Sequence, residues 1–240
     1  MGYLMKFIAL LASAALLASP AFANSFTNGG FEMNAGAGQL GYNTNATGWT
    51  TTGYNFLYAP GTADTAAAAH GRYGYNGLWG PGNGSNNGLT AASPSGGFFV
   101  AADGDFGTAP ISQVITGLKV GRAYTIGFDY AFAQQSGFNG DTIQHWTSSF
   151  GGSSLQTADY ALPSHGFSGW SHATYTAVAT ATTQTLSFLA YGNVPVPPFA
   201  LLDGVTVSGE VPEPATWALL LAGFGAVGIA ARRRRTTVAA

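Results

Sequence analysis

Between positions 124 and 132 every second residue is large and apolar. Tyr124, Ile126, Phe128, Tyr130 and Phe132 alternate with Thr125, Gly127, Asp129 and Ala131. A period of two over nine residues describes a strand with one strongly apolar face. It does not describe an amphipathic helix, whose apolar positions recur every three or four residues. Shorter runs that read as strands lie at 98–102, 111–116, 143–150, 173–179, 185–191 and 201–208, with Gly, Asn and Pro between them. The turn-like link 117–122 predicts that 111–116 and the 124–132 strand form a hairpin. Positions 66–70 have room for one helical turn, and no longer amphipathic helix is present. The expectation is an all-β fold, a single jelly-roll-like β-sandwich.

The two ends read as addresses. Lys6 precedes an apolar stretch of about eleven residues and an Ala21-Phe22-Ala23 cleavage site, the pattern of a secretory signal peptide over 1–23. Near the other end, 215–231 carry no charge; at 1.5 Å per residue a helix there spans roughly 26 Å, enough for a bilayer core. Trp217 suits the headgroup level, and Arg232, Arg233, Arg234 and Arg235 suit the cytoplasmic side. The domain plan is therefore signal peptide 1–23, exported β-sandwich 24–209, sorting segment 210–235 with a transmembrane helix over 215–231, and a short tail 236–240.

Pro212, Glu213, Pro214, Trp217 and Ala218, followed by the apolar helix and the arginines, resemble the PEP-CTERM sorting signal in its PEPxxWA form. That resemblance implies processing by an exosortase, a membrane cysteine protease. It also implies a Gram-negative host that makes exopolysaccharide, and a place at the cell surface or in the matrix. Within this segment, Gly223, Gly225 and Gly228 match a dinucleotide fingerprint. No βαβ context or acidic residue follows, so they read as small residues of a membrane helix. Ala218, Ala222, Ala226 and Ala230 make a smooth stripe for close helix packing.

The chain has 240 residues, 8 % of them charged, and no Cys. Without Cys there is no disulfide framework, thiolate zinc site or cysteine nucleophile, and an exported domain must be held by its core alone. Residues 24–209 contain three basic residues (Arg72, Lys119, Arg122) against eight acidic ones. That balance argues against a nucleic-acid face.

The opening Asn28-Gly29-Gly30-Phe31-Glu32, the 98–105 and 111–118 segments and the closing 201–207 segment succeed one another in an order similar to galactose-binding-like jelly rolls, including several carbohydrate-binding module families. The resemblance implies that Glu32 and Asp203 lie close together and share a structural calcium. Asp203 gives a physical reason as well. It alternates with Leu201, Val205 and Val207, and a carboxylate on an apolar face costs several kcal/mol unless paired or metal-bound. The other reading places Asp203 at the strand end, solvated or bonded to backbone N–H groups. Asp103-Gly104-Asp105 lacks the further acidic positions of a calcium loop and reads as a turn.

His70, His145, His165 and His172 fall into no metal-ligand spacing and read as solvated loop histidines. Eight carboxylates give a hydrolase no selected pair, and there is no nucleophile elbow. The chain therefore reads as a non-enzyme. Trp49, Trp79, Trp146 and Trp170, with Tyr54, Tyr73 and Tyr75, lie in or beside polar, Gly-rich segments, where they would serve as platforms for sugar rings or as loop and core anchors. The functional expectation is non-catalytic polysaccharide binding at the cell surface, tied to exopolysaccharide or biofilm. The alternatives are a structural matrix protein acting through protein contacts and, third, a glycoside hydrolase.

Overall fold

The computed structural model describes residues 24–193, 196–209, 222–227 and 232. The expected signal peptide, the motif residues Pro212, Glu213, Pro214, Trp217 and Ala218, and Arg233, Arg234 and Arg235 lie outside them. Residues 222–227 are helical and exposed. Among the described residues no helix is long and apolar enough to cross a membrane.

The strands in chain order are β1 (Gly38–Gln39), β2 (Asn55–Tyr58), β3 (His70–Gly71), β4 (Gly74–Tyr75), β5 (Phe99–Asp103), β6 (Ile111–Ile115), β7 (Ala123–Gln134), β8 (Thr142–Phe150), β9 (Ser153–Gln156), β10 (Tyr160–Leu162), β11 (Ser171–Val178), β12 (Gln184–Gly192) and β13 (Pro198–Gly209). Sheet I runs β1-β2-β5-β13-β7-β11; sheet II runs β10-β8-β12-β6, with β9 also on β8; β3 and β4 pair alone. Every pairing is antiparallel. The fold is a β-sandwich, as the sequence predicts.

One face of sheet I meets sheet II. Leu57, Val100, Phe128, Phe132, Ala200 and Leu202 pack there with Ile111, Trp146, Phe150, Leu186 and Phe188. The alternate residues of the same strands, including Phe56, Tyr58, Phe99, Ala101, Phe199 and Leu201, form a second core against Ala63, Ala68, Ala69 and Leu78. The Gly- and Asn-rich region before β5 is thus a third layer laid over sheet I. This explains why β2 and β5 are apolar without alternation: both of their faces are buried. Positions 66–70 form tight turns and the start of β3 instead of a helical turn. Leu78 N–H to Ala63 C=O (2.7 Å), Trp79 N–H to Gln134 C=O (2.9 Å) and Tyr58 Oη–H to Asn76 C=O (3.0 Å) hold the layer down. Each fully buried ring contributes about 1.5–3 kcal/mol, so a cysteine-free domain can rest on these two cores.

Two further expectations are corrected. Strands β6 and β7 are not a hairpin: β6 pairs with β12 in sheet II, and β7 lies between β13 and β11 in sheet I. The link 117–122 crosses from sheet to sheet. Leu118 plugs the end of the core, and its N–H bonds Thr182 C=O at 3.0 Å. Second, Asp203 does not share a face with Val205. The register of β13 on β7 shifts between Asp203 and Thr206, at Gly204 with φ 55°. This bulge keeps Asp203 on the side of Leu201 and turns Val205 into the first core.

Both ends of the domain leave from one place. Ser25 N–H bonds Thr116 C=O at 3.0 Å, the Asn24 side-chain amide bonds Val207 C=O at 3.4 Å, and Gly209 pairs with Tyr124 at the start of β7.

Candidate functional site

Asp203, Asp129 and His172 are register partners across β13, β7 and β11, so they form a row on the outer face of sheet I. The segment before β5 closes over the row. Ser93 Oγ donates to Asp203 Oδ2, and Ser95 Oγ donates to Asp129 Oδ2 at 2.8 Å. His172 Nδ1 lies 2.7 Å from Asp129 Oδ1. Asp203 is fully buried, and its Oδ1 has no partner among the described residues. Burial pushes its carboxyl up to about 7. The hydrogen bonds from Ser93 and Gly204 oppose the rise, and the charges of Glu32 and Asp129 add to it.

Glu32 arrives here because the turn before it is locked. Val205 N–H bonds Gly29 C=O at 2.9 Å, and a Cβ on Gly29 would sit 1.8 Å from the Val205 carbonyl oxygen. Glu32 Oε1 accepts the Phe98 N–H at 2.6 Å. A Cβ on Gly30 would lie 3.8 Å from Asp203 Oδ1 and 3.9 Å from Glu32 Cγ, so both acids border one small space. An orphaned, buried carboxylate oxygen among oxygen donors suits a hard cation in kind. Among the described residues no three His, Asp or Glu converge in metal-holding geometry. Any ion would therefore depend on backbone or solvent oxygens as well.

The tryptophans divide. Trp146 is 0 % exposed, its Nε1–H spent on Leu201 C=O at 3.0 Å. Trp49 is 6 % exposed, wedged against Phe26, Phe31 and Phe188. Trp146 is enclosed by the core and offers no face to a ligand, whereas Trp49, though mostly buried, borders a small surface cavity of about 120 Å³ with Asn45, Thr50 and Thr51. Trp170 is half-buried, edge-on to Phe99, with Nε1–H on Thr90 Oγ1 at 2.9 Å. Trp79 is half-buried and stacks on His165 at 3.9 Å. Tyr54 is buried, whereas Tyr73 and Tyr75 are exposed. Asp103 caps its own turn, Oδ1 accepting the N–H groups of Asp105 and Phe106, while burial lifts its carboxyl to about 6.

Sheet I is covered on both faces over its central strands, whereas sheet II keeps an open one. Ile143, Leu189, Tyr191 and Val114 stand on that face, each more than 40 % exposed. Tyr191 and His145 are register partners whose rings stack at 4.5 Å and 14°. His145 Nδ1 is fixed by Asp159 Oδ1 at 2.8 Å. At one end the face runs into an open groove of about 410 Å³, bordered by Asp141, Thr142, Ile143, Leu162, Pro163 and Asn193. Asn193 Oδ1 accepts the Ile143 N–H and Asp141 Oδ1 accepts the Ser164 N–H, which sets both side chains at the rim. Beside it His165 takes a left-handed backbone (φ 61°), its carbonyl accepting from Ser85 Oγ and Asn87 Nδ2. Sequence reasoning missed Tyr191 and Asn193. The alternation of β12 held the signal for Tyr191, since Leu189 and Tyr191 fall opposite Phe188 and Ala190.

No match is found among curated proteins. Among solved structures, TmCBM61 in complex with beta-1,4-galactotriose is similar over 78 % of this chain and 99 % of its own, at 17 % identity and TM-score 0.41. A CBM4 structure matches over 78 % and 100 % at 16 % identity and TM-score 0.35. The N-terminal cellulose-binding domain of Cellulomonas fimi beta-1,4-glucanase C matches over 65 % and 89 % at 18 % identity and TM-score 0.27. Residues 210–235 match the PEP-CTERM protein-sorting motif, the signal for export and membrane-associated sorting that this chain carries.

Proposed function

We propose that the chain is a sorted surface protein whose sandwich binds polysaccharide without catalysis. The observation that carries this reading is the open face of sheet II with its groove. Exposed Tyr191, Ile143 and Leu189 offer apolar surface to the C–H faces of sugar rings. Asp141 and Asn193 stand at the rim for hydroxyl groups. Sparse charge and fixed rings suit a neutral, repeating ligand; we assign the cell's own exopolysaccharide or biofilm matrix. In this reading an exosortase and the secretion machinery handle the tail. Residues 215–231 span the membrane in transit with Arg232 to Arg235 on the cytoplasmic side, and the mature protein ends at the surface or in the matrix.

Calcium belongs to the same proposal. Asp203 and Glu32 would hold it, and its charge would pin the opening turn to β13. The test is binding of the purified protein to a polysaccharide panel that includes the native exopolysaccharide, with calcium and with chelator. Saturable, sugar-competable binding is expected, and its loss in Tyr191→Ala with unchanged unfolding. A folded sample that binds no member of the panel overturns the reading in favour of a structural matrix protein.

A further inference from the structure

We infer that the cavity beside Trp49 is a second binding site of this chain, and that it takes one uncharged sugar ring. It lies at the β6 edge of sheet II, whereas the groove lies at the β10 edge. Thr50 and Ser112 exchange N–H to C=O bonds, each 2.9 Å, so the segment carrying Trp49 runs along β6 and extends that sheet. The buried residues Leu40, Trp49 and Ile111 supply an apolar floor, and Asn45, Thr50 and Thr51 stand around it.

The walls are set before any ligand arrives. Trp49 Nε1–H donates to Asn28 C=O at 2.9 Å, Trp49 N–H to Ala46 C=O at 3.0 Å, and Gly41 N–H to Thr44 C=O at 3.0 Å. The polar groups keep capacity to spare. The Asn45 carbonyl accepts the Ala35 N–H, but the Asn45 side-chain amide has no hydrogen-bond partner among the described residues. Thr51 Oγ1 accepts from Gly53 N–H at 3.0 Å and from Asn55 Nδ2 at 2.6 Å, so its own O–H remains a donor.

Size and charge narrow the occupant. The volume, about 120 Å³ against about 410 Å³ for the groove, admits one ring and not a run of chain. No Lys, Arg, His, Asp or Glu lines the cavity, so nothing in it pairs with an ionic ligand. A wholly apolar ligand would make no use of the Asn45 amide or the Thr51 hydroxyl. A neutral sugar ring uses both kinds of surface, its C–H groups on Trp49 and Ile111 and its hydroxyls on Asn45 and Thr51. The role of the site rests on the polysaccharide reading: the groove holds a run of the polymer, and the cavity takes a chain end or a branch.

The full-length chain, in a detergent without a sugar headgroup, is tested by saturation-transfer NMR with the methyl glycosides of glucose, galactose, mannose and N-acetylglucosamine, one at a time. Binding of at least one is expected, with a dissociation constant on the order of 1 mM, as suits a single ring. Glucuronate, of similar size but charged, is expected to show no transfer. Asn45→Ala removes the free amide and is expected to weaken binding about tenfold, and Asn45→Trp fills the mouth and is expected to abolish it. Both keep the backbone bond to Ala35, so thermal unfolding is expected to stay unchanged. No binding of any of these glycosides, equal binding of glucuronate, or binding unchanged in either folded variant overturns the inference. If the glycosides fail while a polysaccharide still binds, the cavity falls and the groove stands. If a glycoside binds and no polysaccharide does, the groove falls and the cavity stands.

Discussion

Asp203 is a carboxyl with one oxygen bonded to Ser93 and the other facing nothing among the described residues. Its folded value of about 7 lies above the ordinary value near 3.9, so the folded state holds the proton more tightly. The contribution of Asp203 to stability is then fully present below about pH 4 and is lost as pH rises through about 7. Asp203→Asn keeps a Ser93 partner and removes the charge. It is expected to flatten that fall and to raise stability at pH 8 by on the order of 2–4 kcal/mol, read by chemical denaturation at pH 5 and pH 8. If a cation occupies the space beside Glu32, calcium at pH 8 raises the melting temperature of the natural chain and leaves Asp203→Asn unmoved. Equal melting in calcium and in chelator removes the ion from the proposal. Asp203 was legible because a carboxylate stood in an otherwise apolar strand with few cations to meet it, whereas its nearness to Glu32 came from the resemblance and not from the strand pattern. Asp129 and His172 were not, because their meeting depends on a cross-strand register that no local pattern records.

At the scale of elements, β13 shows what period two can and cannot tell. Its apolar residues were legible, but one residue in the left-handed region moved Val205 to the other face. A Cβ on Gly204 would lie 2.3 Å from Ser95 Oγ and 2.7 Å from Asp129 Oδ2. Gly204→Ala is expected to cost about 1–3 kcal/mol and to loosen the Ser95 contact, measured by denaturation and by faster hydrogen exchange at 93–97. The seven strands read from the sequence exist within a few residues of their predicted ends, because a long half-buried strand announces itself. The third layer did not, since its core uses alanines and irregularly spaced rings. Phe99 is under 2 % exposed and stacks on Tyr58 at 5.7 Å beneath that layer. Phe99→Ala is expected to cost about 3–5 kcal/mol and to speed hydrogen exchange in 59–97 more than in β8. Equal acceleration in both would mean that the layer is not a separate unit.

On the scale of the whole molecule, the tether and the groove lie at opposite ends of one strand. Gly209 pairs with Tyr124 near the start of β7, whereas the groove sits beyond its far end, where 135–141 turn into β8. Twelve residues of strand separate them by about 40 Å. A protein held by its sorting segment would therefore present the groove away from the surface that holds it. The absence of Cys makes this orientation testable, since any introduced thiol is unique. Attached to a solid support through a thiol added after the last residue, the protein is expected to capture polysaccharide at full capacity. Attached through Phe138→Cys, on the exposed turn beside the groove, it is expected to capture little, although the same variant free in solution still binds. Equal capture in both orientations would move the binding surface off this end of the sandwich, and the exposed Tyr73 and Phe106 cluster, whose rings meet at 5.7 Å, would be the next place to substitute.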